Sequence, residues 1–193
     1  TQSTFGAKQY LAQPKLDGSA LSLEYVAGNL HRAATRGSGE RGEDVTLNAK
    51  QVANIPTRLN IPVDCHVRGE VVMPLKTFEE KYRDVSPNPR NLCSGALRQK
   101  HGDGKADASD LVFCAYDVKF VNDSPDVMYD SQLLELLKDK IGIEPAPWHV
   151  FDAENPQQDM IEYTKQWSEN RSSYEFEIDG IVFKLDDLQQ REP

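Results

Sequence analysis

The sequence has no long apolar run, no paired cysteines, no clustered histidines and no internal repeat. No stretch approaches the roughly 20 consecutive apolar residues needed to cross a bilayer. The start, Thr1-Gln2-Ser3-Thr4, lacks a signal-peptide pattern. The expectation is a soluble, cytoplasmic chain with no membrane partner. Cys65, Cys93 and Cys114 are odd in number and far apart, which argues against a disulfide framework or a cysteine zinc site and fits a reducing compartment. His31, His66, His101 and His149 are equally scattered, which argues against a histidine-held metal. No low-complexity linker marks a domain boundary, and a start without Met reads as a processed chain or a piece of a longer one.

What is present suffices for one folded unit. The 193 residues are 38% hydrophobic and 27% charged, a globular composition long enough for a real core. The net charge of −9 is unevenly placed: residues 1–100 carry 14 Lys and Arg against 10 Asp and Glu, and residues 101–193 carry 8 against 21. A nucleic-acid or phosphate partner is therefore expected to meet the first half.

Apolar alternation and turn signals predict strands at Tyr10 to Pro14, Leu21 to Val26, Leu30 to Thr35, His66 to Met73, Leu111 to Phe120, Trp148 to Phe151 and Phe176 to Leu185. Ala27-Gly28-Asn29 is a short hairpin turn. Helices are expected from Asp44 to Val52, capped by Asp44 or Thr46, from Leu75 to Tyr82, and from Asn91 to Gln99 after Asn88-Pro89-Arg90. Two amphipathic helices follow, Ser131 to Ile141 ending near Gly142, and Pro156 to Trp167 with Met160, Ile161, Tyr163 and Trp167 inward. Arg36 to Asp44, rich in glycine and charge, reads as a loop that a ligand can approach closely.

Lys15-Leu16-Asp17-Gly18 fits a reactive amine beside a phosphate or metal site. A free lysine, with a pKa of about 10.4, is unprotonated in about one molecule in a thousand at pH 7, so a nucleophilic lysine must be tuned by burial or nearby cations. Glu70 lies within an apolar strand, where a charge needs a hydroxyl, cation or metal partner. Lys184, in Asp179-Gly180-Ile181-Val182-Phe183-Lys184, needs an anion for the same reason. Arg36, Arg90 and Arg98 offer planar donors to phosphates. Each feature alone also fits a plain surface residue.

Taken in order, the motifs resemble a known family. Lys15-Leu16-Asp17-Gly18, Ala34-Thr35-Arg36-Gly37 with Gly42-Glu43-Asp44-Val45-Thr46, Arg68-Gly69-Glu70-Val71-Val72-Met73, Asn88-Pro89-Arg90-Asn91 with Gly95-Ala96-Leu97-Arg98-Gln99, and Glu177 to Lys184 look like successive signatures of the adenylation domain of NAD-dependent DNA ligases. The likeness runs from about Tyr10 to Leu188. It implies an α+β nucleotidyltransferase fold of ATP-grasp-like type, with mixed or antiparallel sheets flanked by helices. It implies that Lys15 attacks NAD to form lysyl-AMP and release nicotinamide mononucleotide, and that AMP then passes to the 5′-phosphate of nicked double-stranded DNA in repair and replication. Asp17 would orient the nucleophile or a Mg²⁺ ion, and Glu70 would hold the ribose. Lys184 would neutralise the α-phosphate, and Gln13, Gly18 and Arg36 would complete the nucleotide contacts. Arg90, Arg98 and Arg171 would meet DNA, and Asp17, Glu70 and Asp179 would be the metal ligands.

Two departures from the family pattern stand out. Gln13 occupies a position where the family usually has a glutamate facing the adenine amino group, though an amide oxygen can still accept that hydrogen bond. Residues 1–193 read as one adenylation domain ending before the family's final lysine motif, without the nicotinamide-recognition, OB-fold, zinc-finger or helix-hairpin-helix parts. The expectation is a monomeric piece of a multidomain ligase that alone seals no nicks. Two alternatives remain open: an ATP- or GTP-dependent enzyme of the RNA ligase or capping type, and a nucleotide- or DNA-binding relic without catalysis.

Overall fold

The computed structural model describes residues 9–36, 42–122, 124–151 and 154–188. Its backbone forms two antiparallel sheets. The first has the order β6-β1-β7, from β1 (Tyr10–Leu16), β6 (His149–Phe151) and β7 (Ile178–Leu185). The second has the order β3-β2-β4-β5, from β2 (Ser19–Val26), β3 (Asn29–Thr35), β4 (Cys65–Val72) and β5 (Val112–Phe120). β1 passes into β2, and so from one sheet to the other, through Asp17-Gly18 alone. The expected α+β architecture with antiparallel sheets is the one observed.

Period-two patterning decides which face of the larger sheet is buried. Leu21, Leu23, Tyr25, Ala33, Val67, Val71, Phe113 and Ala115 turn inward to the main core, with Leu92, Ala96 and Leu97 of α3 (Pro89–Arg98) and Leu133, Leu134 and Leu137 of the helical stretch that begins at Asp130. The alternate residues, Ala20, Glu70 and Tyr116 among them, face the smaller sheet and leave a cavity between the two. Leu16, Val72, Cys114, Ala146 and Phe176 form a second cluster that ties the sheets together at one end. The hairpin turn is as expected: Ala27 and Gly28 have φ of 49° and 80°, the two positive values that a two-residue hairpin loop matching the strand twist requires.

The helices differ from expectation at their ends. α1 (Thr46–Ala49) is shorter than the Asp44 to Val52 span, and Asp44 accepts the Thr46 N–H at 3.0 Å just ahead of it. α2 (Leu75–Thr77) and α4 (Asp130–Leu136) each run on into a π-helical turn, Phe78–Tyr82 and Leu137–Ile141, and Gly142 stops the second at φ 92°. α3 starts at Pro89 because Asn88 accepts the Asn91 N–H at 3.0 Å as its N-cap. α5 (Pro156–Asn170) rests on the outer face of the smaller sheet through Tyr163, whose ring stacks on His149 at 5.6 Å and meets Phe183 edge-on at 6.2 Å. Ile161, expected inward, is 70% exposed because it is two residues from Tyr163 and so lies about 160° around α5 from the ring that meets the sheet.

Candidate active site

The cavity between the sheets has a volume of about 320 Å³. Gln13, Lys15, Val182 and Lys184 line it from the smaller sheet, and Ala20, Arg36, Glu70, Cys114 and Tyr116 from the larger one. Register explains the first set. Leu11 pairs with Lys184, Gln13 with Val182 and Lys15 with Gly180, so alternate residues of both strands share the cavity face. Ala20, Glu70 and Cys114 likewise sit in one cross-strand row of the larger sheet.

Lys15 stands at the mouth of the cavity with its Nζ 3.5 Å from Asp179 Oδ2. Asp17 follows on the link between the sheets. Its N–H donates to the Glu177 carbonyl at 3.0 Å, and its carboxylate lies 3.7 Å from Arg90 Nε. The Gly18 N–H donates to Glu70 Oε1 at 3.3 Å. A Cβ on Gly18 would lie 2.0 Å from the Val71 carbonyl oxygen, so only glycine lets β2 cross this close to β4.

Burial pushes the Glu70 carboxyl up to about 7, against the opposing pull of the Gly18 N–H; Asp17 adds to the rise, and Arg90 and Lys15 oppose it. Near neutral pH this carboxyl therefore divides between a form that donates a hydrogen bond and one that only accepts. Gln13 is 4% exposed and its amide donates to the Ala146 carbonyl at 3.4 Å, so its place in the wall is fixed. Lys184 has the anionic neighbour expected of a lysine in a core-like strand: its Nζ lies 2.7 Å from Asp130 Oδ2.

The structure brings Gln13, Lys15, Arg36, Glu70 and Lys184 to one cavity, with Asp17, Gly18 and Asp179 at its edge. The arginines expected to meet DNA lie outside it, each beside a carboxylate. Arg90 pairs with Asp17, Arg98 Nε lies 3.3 Å from Glu43 Oε2, and Arg171 Nη2 lies 3.1 Å from Glu177 Oε1. The metal expectation finds no preformed centre: among the described residues no group of three His, Cys, Asp or Glu side chains is placed to hold an ion. Asp179 is turned to Lys15, which leaves Asp17 and Glu70 without a third ligand. The part of the Arg36 to Asp44 loop from Gly37 to Arg41 lies outside the described residues.

Sequence reasoning passed over Cys114 and Tyr116 in the wall and Asp130 behind Lys184. The first two sit two apart in an apolar strand, and only the pairing of Glu70 with Cys114 shows that their face is the cavity face. Asp130 opens an amphipathic helix, where an acidic residue is ordinary.

The fold of two antiparallel sheets is shared with solved ligase structures. A mycobacterial DNA ligase D complexed with ATP and MES superposes with a TM-score of 0.54 at 18% identity, over 94% of this chain and 50% of that one. An archaeal ATP-dependent RNA ligase gives 0.56 at 14% identity, over 94% of this chain and 40% of that one. At such identities the likeness shows the fold alone.

Sequence similarity supplies the family. The model of the NAD-dependent DNA ligase adenylation domain matches residues 1–193, and the chain belongs to that family. It is 40% identical over 194 residues to a DNA ligase of Natranaerobius thermophilus and 41% identical over 195 residues to one of Nitrobacter hamburgensis. Each match covers 94% of this chain but only 28% and 26% of those proteins, so the chain spans about a quarter of the length of these relatives. Among the described residues no helix is long and apolar enough to cross a membrane.

Proposed function

We propose that this chain is the part of an NAD-dependent DNA ligase in which a lysine takes AMP from NAD. The observation that carries the reading is the convergence of Lys15, Glu70, Arg36 and Lys184 from both sheets on one cavity at the end of which Lys15 stands. The neutral Lys15 amine attacks the α-phosphorus of NAD. A nitrogen–phosphorus bond forms, the bond from phosphorus to the bridging oxygen breaks, nicotinamide mononucleotide leaves and the amine gives up its proton.

The remaining wall serves the nucleotide. Glu70, with a carboxyl able to donate or accept, suits the ribose hydroxyls. Gln13 presents an amide to the base, Lys184 stands beyond it at the same end of the wall, opposite Leu11, and Arg36 brings positive charge to the nucleotide. Mg²⁺ is ordinarily held by one or two carboxylates together with substrate phosphates and water, so Asp17 and Glu70 would be its protein ligands beside the nucleotide, and no step is assigned to the ion.

In the full-length protein the AMP passes on. A 5′-phosphate oxygen at the nick attacks the same phosphorus, the nitrogen–phosphorus bond breaks and Lys15 is restored. The 3′-hydroxyl then attacks the activated 5′-phosphate, joining the strand and expelling AMP. Arg90, Arg98 and Arg171 are the proposed contacts to the nicked DNA. Family membership favours NAD as the donor over ATP or GTP, and full-length protein incubated with each separates them. The test is intact mass: NAD adds the mass of one AMP to the full-length protein, and Lys15→Ala abolishes the addition. Unchanged labelling of that variant overturns the assignment.

A further inference from the structure

A groove of about 1130 Å³ opens outside the nucleotide cavity, at the end of α3, lined by Arg98, by Thr46 and Gln51 around α1, and by the loop that carries Lys100 and Lys105. That loop is built rather than slack. His101 and Gly102 take φ of 57° and 72° in a turn closed by the Asp103 N–H donating to the Lys100 carbonyl at 3.2 Å, and the Asp103 carboxylate accepts the Lys100 N–H at 3.0 Å. Gln99 ties the loop together: its amide donates to the Ala96 and Ala106 carbonyls at 3.0 and 3.2 Å, and its Oε1 accepts the Gly104 N–H at 2.9 Å.

The charges that line the groove are unevenly satisfied. Glu43 is paired with Arg98, Asp44 accepts from Thr46 and lies beside Arg32, and Asp107 accepts both the N–H and the hydroxyl of Ser109. Lys100 and Lys105 are exposed, and among the described residues neither forms an ion pair with a carboxylate. The segments around the groove, residues 29–50 and 89–107, hold 8 Lys and Arg against 5 Asp and Glu in a chain of net charge −9. The anions are engaged within the protein, and two of the cations are left for a partner.

We infer that this groove carries the arm of the duplex beyond the nick, with Lys100 and Lys105 on its backbone phosphates. α3 supplies the line from the active site. Arg90, near its start, lies 3.7 Å from Asp17, and Arg98, at its end, lines the groove about 12 Å further on at about 1.5 Å per residue. Arg90, Ser94 and Arg98 recur at every fourth residue and so share one stripe of the helix. Phosphates recur about every 3.4 Å of axis on each DNA strand, which sets the near end of the groove about four phosphates from the nick. Ammonium groups on a rigid loop suit such contacts, which position a duplex without reading its sequence. This inference rests on the DNA ligase reading proposed above.

The test is binding of the full-length protein to a nicked duplex over a salt series. Lys100→Ala combined with Lys105→Ala is expected to reduce the slope of log affinity against log salt by about 1.8 and to weaken binding at least about tenfold near about 0.1 M salt. A duplex with neutral methylphosphonate linkages at about the fourth to eighth positions on one side of the nick is expected to bind wild type and variant within about twofold of each other. The same linkages on the other side leave the difference in place. A slope that the substitutions do not change, or a difference that survives neutral linkages on both sides, overturns the inference. A wild-type protein with no salt-dependent affinity for nicked duplex overturns the underlying reading instead.

Discussion

Asp179 reaches Lys15 because it is the extra residue in a break of register. Lys15 pairs with Gly180 and Leu16 with Ile178, so Asp179 has no partner on β1 and its carboxylate turns to the lysine side, 3.5 Å from Nζ. A bulge of this kind re-aims one side chain where regular pairing would send it to the opposite face.

The Lys15 and Asp179 side chains are 61% and 55% exposed, so their pairing adds little stability. Asp179→Asn is expected to leave unfolding free energy within about 1 kcal/mol of wild type and to slow AMP transfer about tenfold by releasing the nucleophile. Denaturant titration and the intact-mass assay read the two effects separately. A rate equal to wild type counts against the orienting role.

Glu70 gives a pH dependence of defined sign. Its folded carboxyl sits at about 7 against an ordinary 4.5, so the folded state binds the proton more tightly than the unfolded chain. Its contribution to stability is whole below 4.5 and is lost as pH rises through about 7. Glu70→Gln stays neutral and keeps an acceptor for the Gly18 N–H. Between about pH 5 and about pH 8 the variant should gain on wild type by on the order of 2 kcal/mol in urea unfolding. A gap that does not move with pH removes the argument from burial.

Gly18→Ala places a methyl group 2.0 Å from a backbone oxygen that belongs to the neighbouring strand. The expected cost is on the order of 3 kcal/mol, seen as a lower thermal midpoint or failure to fold. A midpoint within a degree or so of wild type would show that β2 and β4 separate easily there.

Arg98→Ala and Arg171→Ala should each leave AMP transfer from NAD unchanged and weaken binding of the full-length protein to nicked duplex. Each lost phosphate contact flattens the dependence of log affinity on log salt by about 0.9. Fluorescence anisotropy over a salt series measures the slope. An unchanged slope assigns the arginine to its carboxylate partner alone.

Much of this was legible in the sequence because it rests on short-range rules. The hairpin at Ala27-Gly28, the Asn88 cap with Pro89 behind it and the stop at Gly142 are local backbone chemistry. The interruption of the β7 alternation at Asp179-Gly180 was visible, but its meaning as a bulge depends on β1 lying alongside. Glu70 and Lys184 were readable as charges in apolar strands, and Lys15 joined them as a set only through the order of the motifs that resemble the ligase family. Their shared cavity, the burial that raises Glu70 and the carboxylate behind Lys184 are properties of strand register and of one helix start, which single-chain periodicity does not carry. Ile161 was misplaced against helical spacing itself: Met160, Tyr163 and Trp167 share one face of α5, and Ile161 lies off that face.

The two-residue passage from β1 to β2 has a mechanical consequence. Asp17 is tied to Glu177 in the smaller sheet's chain segment and Gly18 to Glu70 in the larger sheet, so the link is pinned on both sides. Any rocking of one sheet against the other displaces atoms in proportion to their distance from that fulcrum. Lys15 lies two residues from it, whereas Lys184 pairs with Leu11, about 13 Å further along β1. The nucleophile thus stays nearly still while the far wall, with Lys184, sweeps the larger arc.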